Sequence, residues 1–538
     1  MKLKILLFSL LPTIIIMSGA EVVARIFSDE INMGYESLWM DVMFEKDNFI
    51  KVKKIDGTKY FYAEAYPAQQ YTDEVFPEKS LDGKYITVNK KEETTRIFSY
   101  GGSSTAGSPF GHWASFTRFL SYQLNSLKRS DENLVETINF GSSGGSISRA
   151  EFLLRKTIHL NPDVVIIYSG HNEICDAGSI VYHLERVSKL QRANEHLYVN
   201  SYFYRYLTSW FKNLKPAPPF PKNTFSQHQC HRPQVSADFG LMDQRYSNAV
   251  NEIIKLSKRH GVKVIFVSQV ANELLMPSDI LLKERVLPKD EYWQTERRVF
   301  VTEPGNIVLS SYVENDDKKT LDLAGKLLSN DKNNPIAFYV IGLIHLKNNN
   351  LIEAKKYLAQ ALDFDRQPTR YRSSFTDIIK KNTQNNANAY FVDIGKNISE
   401  LVSDEIIDGR LIIDVMHPNI ELQKYISNEI IKQYFIKNKY EKNLFDYSKF
   451  DNMNIFDLNI SYKKYGLFCR KFYIKKEWKL CVDEALAEFD KARPAFDFYK
   501  KRSAMRVWEN AYYYGQTFKD DSKLVESRRI FTSLSNRE

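Results

Sequence analysis

Residues 96–107 read Arg-Ile-Phe-Ser-Tyr-Gly-Gly-Ser-Ser-Thr-Ala-Gly. A run of β-type residues ends in Gly101, Gly102 and Ser103, and beyond it Trp113, Phe116, Leu120, Leu124 and Leu127 recur at spacings of three and four. The pattern predicts a buried strand, a tight turn and a helix with one apolar face. Ser103 falls where glycines let the chain turn sharply and a helix N-terminus begins, so its oxygen is exposed and its N–H faces outward. A phosphate-cradling glycine loop has the same outline, but no P-loop lysine follows.

Four more β-type runs lie at 135–139, 164–168, 262–267 and 390–394, and at least three of the runs are separated by amphipathic stretches. The fold class expected is α/β, a parallel sheet covered on both faces. Tyr246, Val250 and Ile253 mark the helix before the fourth run, with Gly261 as its stop, and Leu422, Tyr425, Ile426, Ile430, Tyr434 and Phe435 describe a closing helix.

Parallel strands share one carboxyl edge, so the turns that follow them converge. The second run ends in Asn139-Phe140-Gly141-Ser142-Ser143-Gly144 and the third in Gly170-His171-Asn172-Glu173. Before the closing helix stands Asp414-Val415-Met416-His417-Pro418. A carboxylate three residues ahead of an imidazole can hold one ring nitrogen while the other faces a serine.

These four blocks, in this order, resemble the SGNH/GDSL hydrolase family, over residues 96–177, 241–272 and 390–435. The Gly-His-Asn-Glu block, a membrane anchor and a helical insertion resemble a bacterial branch of it. The resemblance implies a flavodoxin-like three-layer α/β/α fold on five parallel strands. It also implies Ser103 as nucleophile, His417 as general base and then acid, Asp414 as its orienting carboxylate, and an oxyanion hole of Ser103, Gly144 and Asn172. No metal and no cofactor is implied. The activity implied is hydrolysis of an ester, an acyl group of envelope polysaccharide or lipid, through an acyl-enzyme. Two alternatives remain open: transfer of the acyl group to a sugar hydroxyl, and a non-catalytic envelope scaffold. Gly102 replaces the family's aspartate and Glu173 the acidic partner of the third block, so the bonds bracing those turns are expected to differ.

The 538 residues exceed one ordinary core. The expected organisation is an N-terminal anchor or signal segment over 1–30, an irregular, partly stranded lead-in over 31–95, and a hydrolase domain in three parts, 96–180, 240–272 and 385–436. An aromatic and proline-rich insertion occupies 181–239, a helical insertion 273–384, and a helical appendage 437–538. Lys2 and Lys4 precede an apolar run, Ile5 to Ala20, that continues through Val22, Val23, Ile26 and Phe27. An uncleaved anchor is favoured over a peptide cleaved after Ser18-Gly19-Ala20, which puts the catalytic part outside the cytoplasm.

In the helical insertion, Phe338, Ile341, Gly342, His345, Ala354, Leu358 and Ala361, behind Pro335, match tetratricopeptide spacing, with a half repeat at 321–328. The bland reading is a plain helical hairpin. A repeat of this kind offers a surface for a protein partner. The net charge of +9 is scattered, which suits an anionic membrane surface weakly and nucleic acid hardly at all. His228, Cys230 and His231 cluster but lack a fourth ligand at zinc spacing. Cys175, Cys230, Cys469 and Cys481 are compatible with disulfides or with free thiols. The cluster from Tyr202 to Phe211 reads first as a packed helix face and second as a lipid or sugar platform.

Overall fold

The computed structural model describes residues 16–23, 50–63, 85–108, 112–130, 134–142, 144–174, 189–201, 203–204, 206–207, 239–279, 301–366, 370–412, 415–440 and 444–452. Asp414, all four cysteines, His228, His231 and most of the expected C-terminal appendage lie outside them.

Part of the lead-in is regular. Strands β1 (Ile50–Ile55) and β2 (Thr58–Ala63) form an antiparallel hairpin, joined by β3 (Tyr85–Thr87). The turn is Asp56-Gly57, with φ of 47° and 83°. Two left-handed residues suit a turn whose twist matches the strands, the property that makes Asp-Gly a hairpin signal. Lys51, Lys53 and Lys54 hide the alternation, because this hairpin buries little of either face.

The main sheet contains β4 (Thr94–Gly101), β5 (Leu134–Asn139), β6 (Val164–Tyr168), β7 (Lys263–Val267) and β8 (Ala389–Val392). All its pairings are parallel and the order is β5-β4-β6-β7-β8. The five expected runs are therefore its five strands. The order reverses at β4, so the carboxyl ends of β4 and β6 open a crevice there.

Among the described residues the longer helices that follow β4 are α1 (Phe116–Ser126), α2 (Ile147–Thr157), α3 (Lys189–Asn200), α4 (Phe239–Arg259), α5 (Glu303–Val313), α6 (Asp317–Asn330), α7 (Pro335–Lys347), α8 (Leu351–Asp363), α9 (Ser373–Thr383) and α10 (Ile420–Ile430). Side chains alternate across each strand. Phe98, Ile138, Val165 and Phe266 pack with α2, α4 and α9, through Phe152, Val250 and Phe375. Ile97, Val135, Ile166 and Ile265 pack with α1 and α10, through Leu120, Leu124, Leu422 and Ile426. Helix α10 continues into a π-helical turn, Ile431–Ile436, so Tyr434 and Phe435 both stay buried. Phe445 and Phe450 close the same face from beyond it.

Helices α5 to α8 bury a core of their own, which reaches Leu274, Met276 and Ile406 at the base of the insertion. Asn334 caps α7 by accepting the Ile336 and Ala337 N–H groups. A Cβ on Gly342 would lie 2.9 Å from Leu358 Cγ, so the missing side chain lets α7 and α8 touch.

One buried ion pair fixes the small sheet to the large one. Arg96, 1% exposed, donates to Glu136 Oε2 from Nε and Nη2, at 3.0 and 2.8 Å, and to the Leu160 and Thr87 carbonyls. Glu136 Oε1 accepts the Thr87 N–H at 2.7 Å, so β3 is stitched to the sheet edge.

Among the described residues no helix is long and apolar enough to cross a membrane. Residues 16–23 of the expected anchor include a helix, and residues 1–15 lie outside the described part.

Candidate active site

Three strand tips and one late loop meet at the crevice. Strand β4 ends in Gly101, where a Cβ would stand 2.0 Å from the Tyr168 carbonyl oxygen, so only glycine lets β4 and β6 run this close to their tips. A single helical turn, Ser103–Ala106, follows directly. Ser103 is its first residue, half-buried, and its N–H has no carbonyl partner earlier in the turn.

The late loop is tied at its base. Ile412 and Pro418 form an isolated antiparallel bridge, Asn419 N–H donates to the Leu411 carbonyl, and Asn419 Nδ2 donates to the Arg410 carbonyl. The Asn419 oxygen also accepts the Leu422 N–H and caps α10. This base presents His417, only 6% exposed, with Nε2 2.7 Å from Ser103 Oγ. Serine and imidazole, 314 residues apart, stand at hydrogen-bond distance. With Nε2 accepting, the hydroxyl proton has a base within reach.

Two further residues follow the neighbouring strand tips. Gly144, after β5, holds a left-handed φ of 69°, and no heavy atom lies within 4 Å of where its Cβ would be. Asn172, after β6, is buried and donates from Nδ2 to the Gly145 carbonyl at 3.1 Å. An amide nitrogen carries two hydrogens, so this bond orients Asn172 and leaves one donor. A Cβ on Gly102 would lie 2.7 Å from Asn172 Nδ2. Ser103, Gly144, Asn172 and His417 are thus on neighbouring tips and loops of one sheet edge, and Asp414 lies outside the described residues.

No family model and no curated protein matches the chain. Several solved structures are similar at low identity. An alpha/beta hydrolase enzyme from the Lake Arreo metagenome is 11% identical at a TM-score of 0.29, over 63% of this chain and 94% of that one. A GDSL-like lipase from Bacteroides thetaiotaomicron is 13% identical at 0.28, over 67% and 93%. The psychrotrophic esterase EstA from Pseudoalteromonas sp. is 12% identical at 0.25, over 64% and 98%.

The two departures from the family blocks have local explanations. Glu173 Oε1 accepts the Ile147 N–H at 3.0 Å, at the N-terminus of α2, where a carboxylate is favoured by the helix dipole. In place of an aspartate at position 102, other groups brace the Ser103 turn. Thr105 Oγ1 donates to the Tyr168 carbonyl at 2.6 Å, Asn139 Nδ2 donates to the Thr105 carbonyl at 2.7 Å, and Ser142 N–H donates to the Gly101 carbonyl.

Sequence reasoning passes over three side chains at this edge. Ser104 and Gln423 join the Ser103 turn to the His417 loop and to α1. Tyr371, on the strap returning from the helical insertion, donates its N–H to His171 Nδ1 at 3.0 Å and lays its ring against Gly170. The bond makes His171 an acceptor at Nδ1, so the ring beside Asn172 is neutral. Arg370 secures the strap by donating to the Asn272 and Leu275 carbonyls and to Asp365. Burial pushes the Tyr168 and Tyr371 phenols far above the ordinary tyrosine range, so both are neutral packing groups. Among the described residues no group of three or more His, Cys, Asp or Glu side chains is placed to hold a metal ion.

Proposed function

We propose that this chain is a serine hydrolase of the SGNH type that cleaves carboxylic esters through an acyl-enzyme on Ser103. The observation that carries the reading is the 2.7 Å approach of Ser103 Oγ to His417 Nε2, made at the switch point of the sheet. In the first step Ser103 Oγ attacks the ester carbonyl as its proton passes to His417. The tetrahedral oxygen takes hydrogen bonds from the Ser103 and Gly144 N–H groups and from Asn172 Nδ2. Collapse breaks the C–O bond, and the proton on His417 goes to the leaving alcohol. Water then repeats the sequence on the acyl-enzyme, with His417 as base, and releases the acid. Asp414, from its place in the sequence, would hold the imidazole in the tautomer that accepts at Nε2.

The substrate class proposed is an acyl ester of an envelope polysaccharide or lipid. Its support is the N-terminal segment, where Ile16, Met17, Val22 and Val23 are exposed in continuation of an apolar run behind two lysines. That pattern suits membrane attachment with the catalytic part outside the cytoplasm. Helices α6 to α8 suit a tetratricopeptide-like unit that takes a protein partner, supported by the close α7–α8 contact at Gly342.

The test uses the full chain in detergent, an activated acetyl ester, and a sugar acceptor present or absent. Acetate release by wild type that is lost in Ser103→Ala supports the proposal. Acetyl transfer to the sugar at the expense of acetate assigns the same intermediate to an acyltransferase. No turnover and no labelling by a serine-reactive phosphonate would leave the scaffold reading.

A further inference from the structure

Two buried side chains outside the expected triad hold the nucleophile turn against the histidine loop. Ser104, 1% exposed, donates its hydroxyl to the Met416 carbonyl oxygen at 3.0 Å. A serine near a helix start ordinarily bonds to its own local backbone. This one spans 312 residues instead. The Met416 carbonyl belongs to the peptide plane that carries the His417 N–H, so fixing that oxygen fixes the plane from which the His417 side chain departs. Gln423, fully buried on α10, grips the same turn from behind. Its amide nitrogen Nε2 donates to the Ser104 carbonyl at 2.9 Å, and its Oε1 accepts the Phe116 N–H at 2.9 Å, at the start of α1. Ser104 is therefore held at both ends of one residue, by the loop that presents the base and by the helix that follows that loop.

We infer that Ser104 is the positioning residue that sets the distance and angle between Ser103 and His417, with Gln423 fixing Ser104 in turn. The inference rests on the reading of Ser103 and His417 as nucleophile and base. Without the Ser104 hydroxyl the Met416 peptide loses its tie to the Ser103 turn, and any tilt of that plane is passed directly to the imidazole. Displacements of about 1 Å between reacting groups commonly cost on the order of a hundredfold in rate.

The experiment measures labelling of full-length protein by a fluorophosphonate, with rate constant and final stoichiometry read separately. The variants are Ser104→Ala, which removes the hydroxyl, and Ser104→Cys, which keeps the size with a weaker donor. The expected result is full stoichiometry in both, with the rate constant down about ten- to hundredfold in Ser104→Ala and by less in Ser104→Cys. On an activated ester the loss appears in kcat with KM nearly unchanged. A merely structural role gives the opposite split, reduced stoichiometry at an unchanged rate constant, and overturns the inference. If Ser104→Ala does not fold, Ser104→Cys decides by the same split. Wild type that never labels overturns the esterase reading itself, whereas wild type and Ser104→Ala labelling at equal rates overturns only the role of Ser104.

Discussion

Replacing Gly102 with alanine puts a methyl carbon 2.7 Å from Asn172 Nδ2 and 2.9 Å from the Gly145 carbonyl oxygen. The backbone itself accepts the change, because φ of −85° and ψ of −159° are open to any residue. The penalty is therefore local crowding, and its two targets are the two ends of one hydrogen bond, Asn172 to Gly145. Gly145 is held by its N–H on the Ser142 carbonyl, so the side-chain amide is the part that gives way. To regain an ordinary contact of about 3.4 Å it must retreat by roughly 0.7 Å. That takes one donor away from the position of the tetrahedral oxygen, a loss worth about 3 kcal/mol of barrier, or roughly a hundredfold in kcat. KM should change little, since the donor acts mainly in the transition state. Steady-state kinetics on an activated acetyl ester, with a thermal melt of the same sample, measure both effects. A folded Gly102→Ala variant with kcat within about twofold of wild type would refute the placement of Asn172 as a donor.

Glu136→Ala leaves the Arg96 guanidinium buried without its carboxylate and should destabilise the protein by about 3–5 kcal/mol, read by denaturant melts. Gly342→Ala and Gly325→Ala should move in opposite directions. The first crowds Leu358, whereas the second sits mid-helix in open space and should gain up to about 1 kcal/mol from helix propensity. Desolvation pushes the Glu273 carboxyl up to about 8, against the pull of the Ile407 N–H and Lys355. Between its ordinary value near 4.5 and that point, the folded protein keeps a proton that the unfolded chain releases, so this group's contribution falls as pH rises. Glu273→Gln should therefore match wild type near pH 5 and melt higher above about pH 8, and a difference of the other sign contradicts the assignment.

The strands were legible because burial on both faces leaves near-continuous β-branched and aromatic runs, as in Val164–Tyr168. The placement of Ser103, Asn172 and His417 on one sheet edge was legible because each stands at a strand tip or on the terminal loop, where chain order predicts convergence. Ser104 and Gln423 were not. A buried polar side chain inside an apolar helix pattern, such as Gln423 beside Leu422, looks the same in sequence as a solvent-facing one, and its partners are hundreds of residues away. The Asp56-Gly57 hairpin carried a signal, but the lysines around it masked the period of two. Tyr371 carried none, since its place against Gly170 depends on how the inserted helices return to the sheet.

The most direct measurement is the mass of the peptide containing Ser103 after acid quench during turnover of an acetyl ester. An acetyl group on Ser103 in wild type, absent from Ser103→Ala and reduced to background in His417→Ala, is the predicted result. Continued ester turnover by Ser103→Ala, or an adduct on a different residue, would contradict the assignment of the nucleophile.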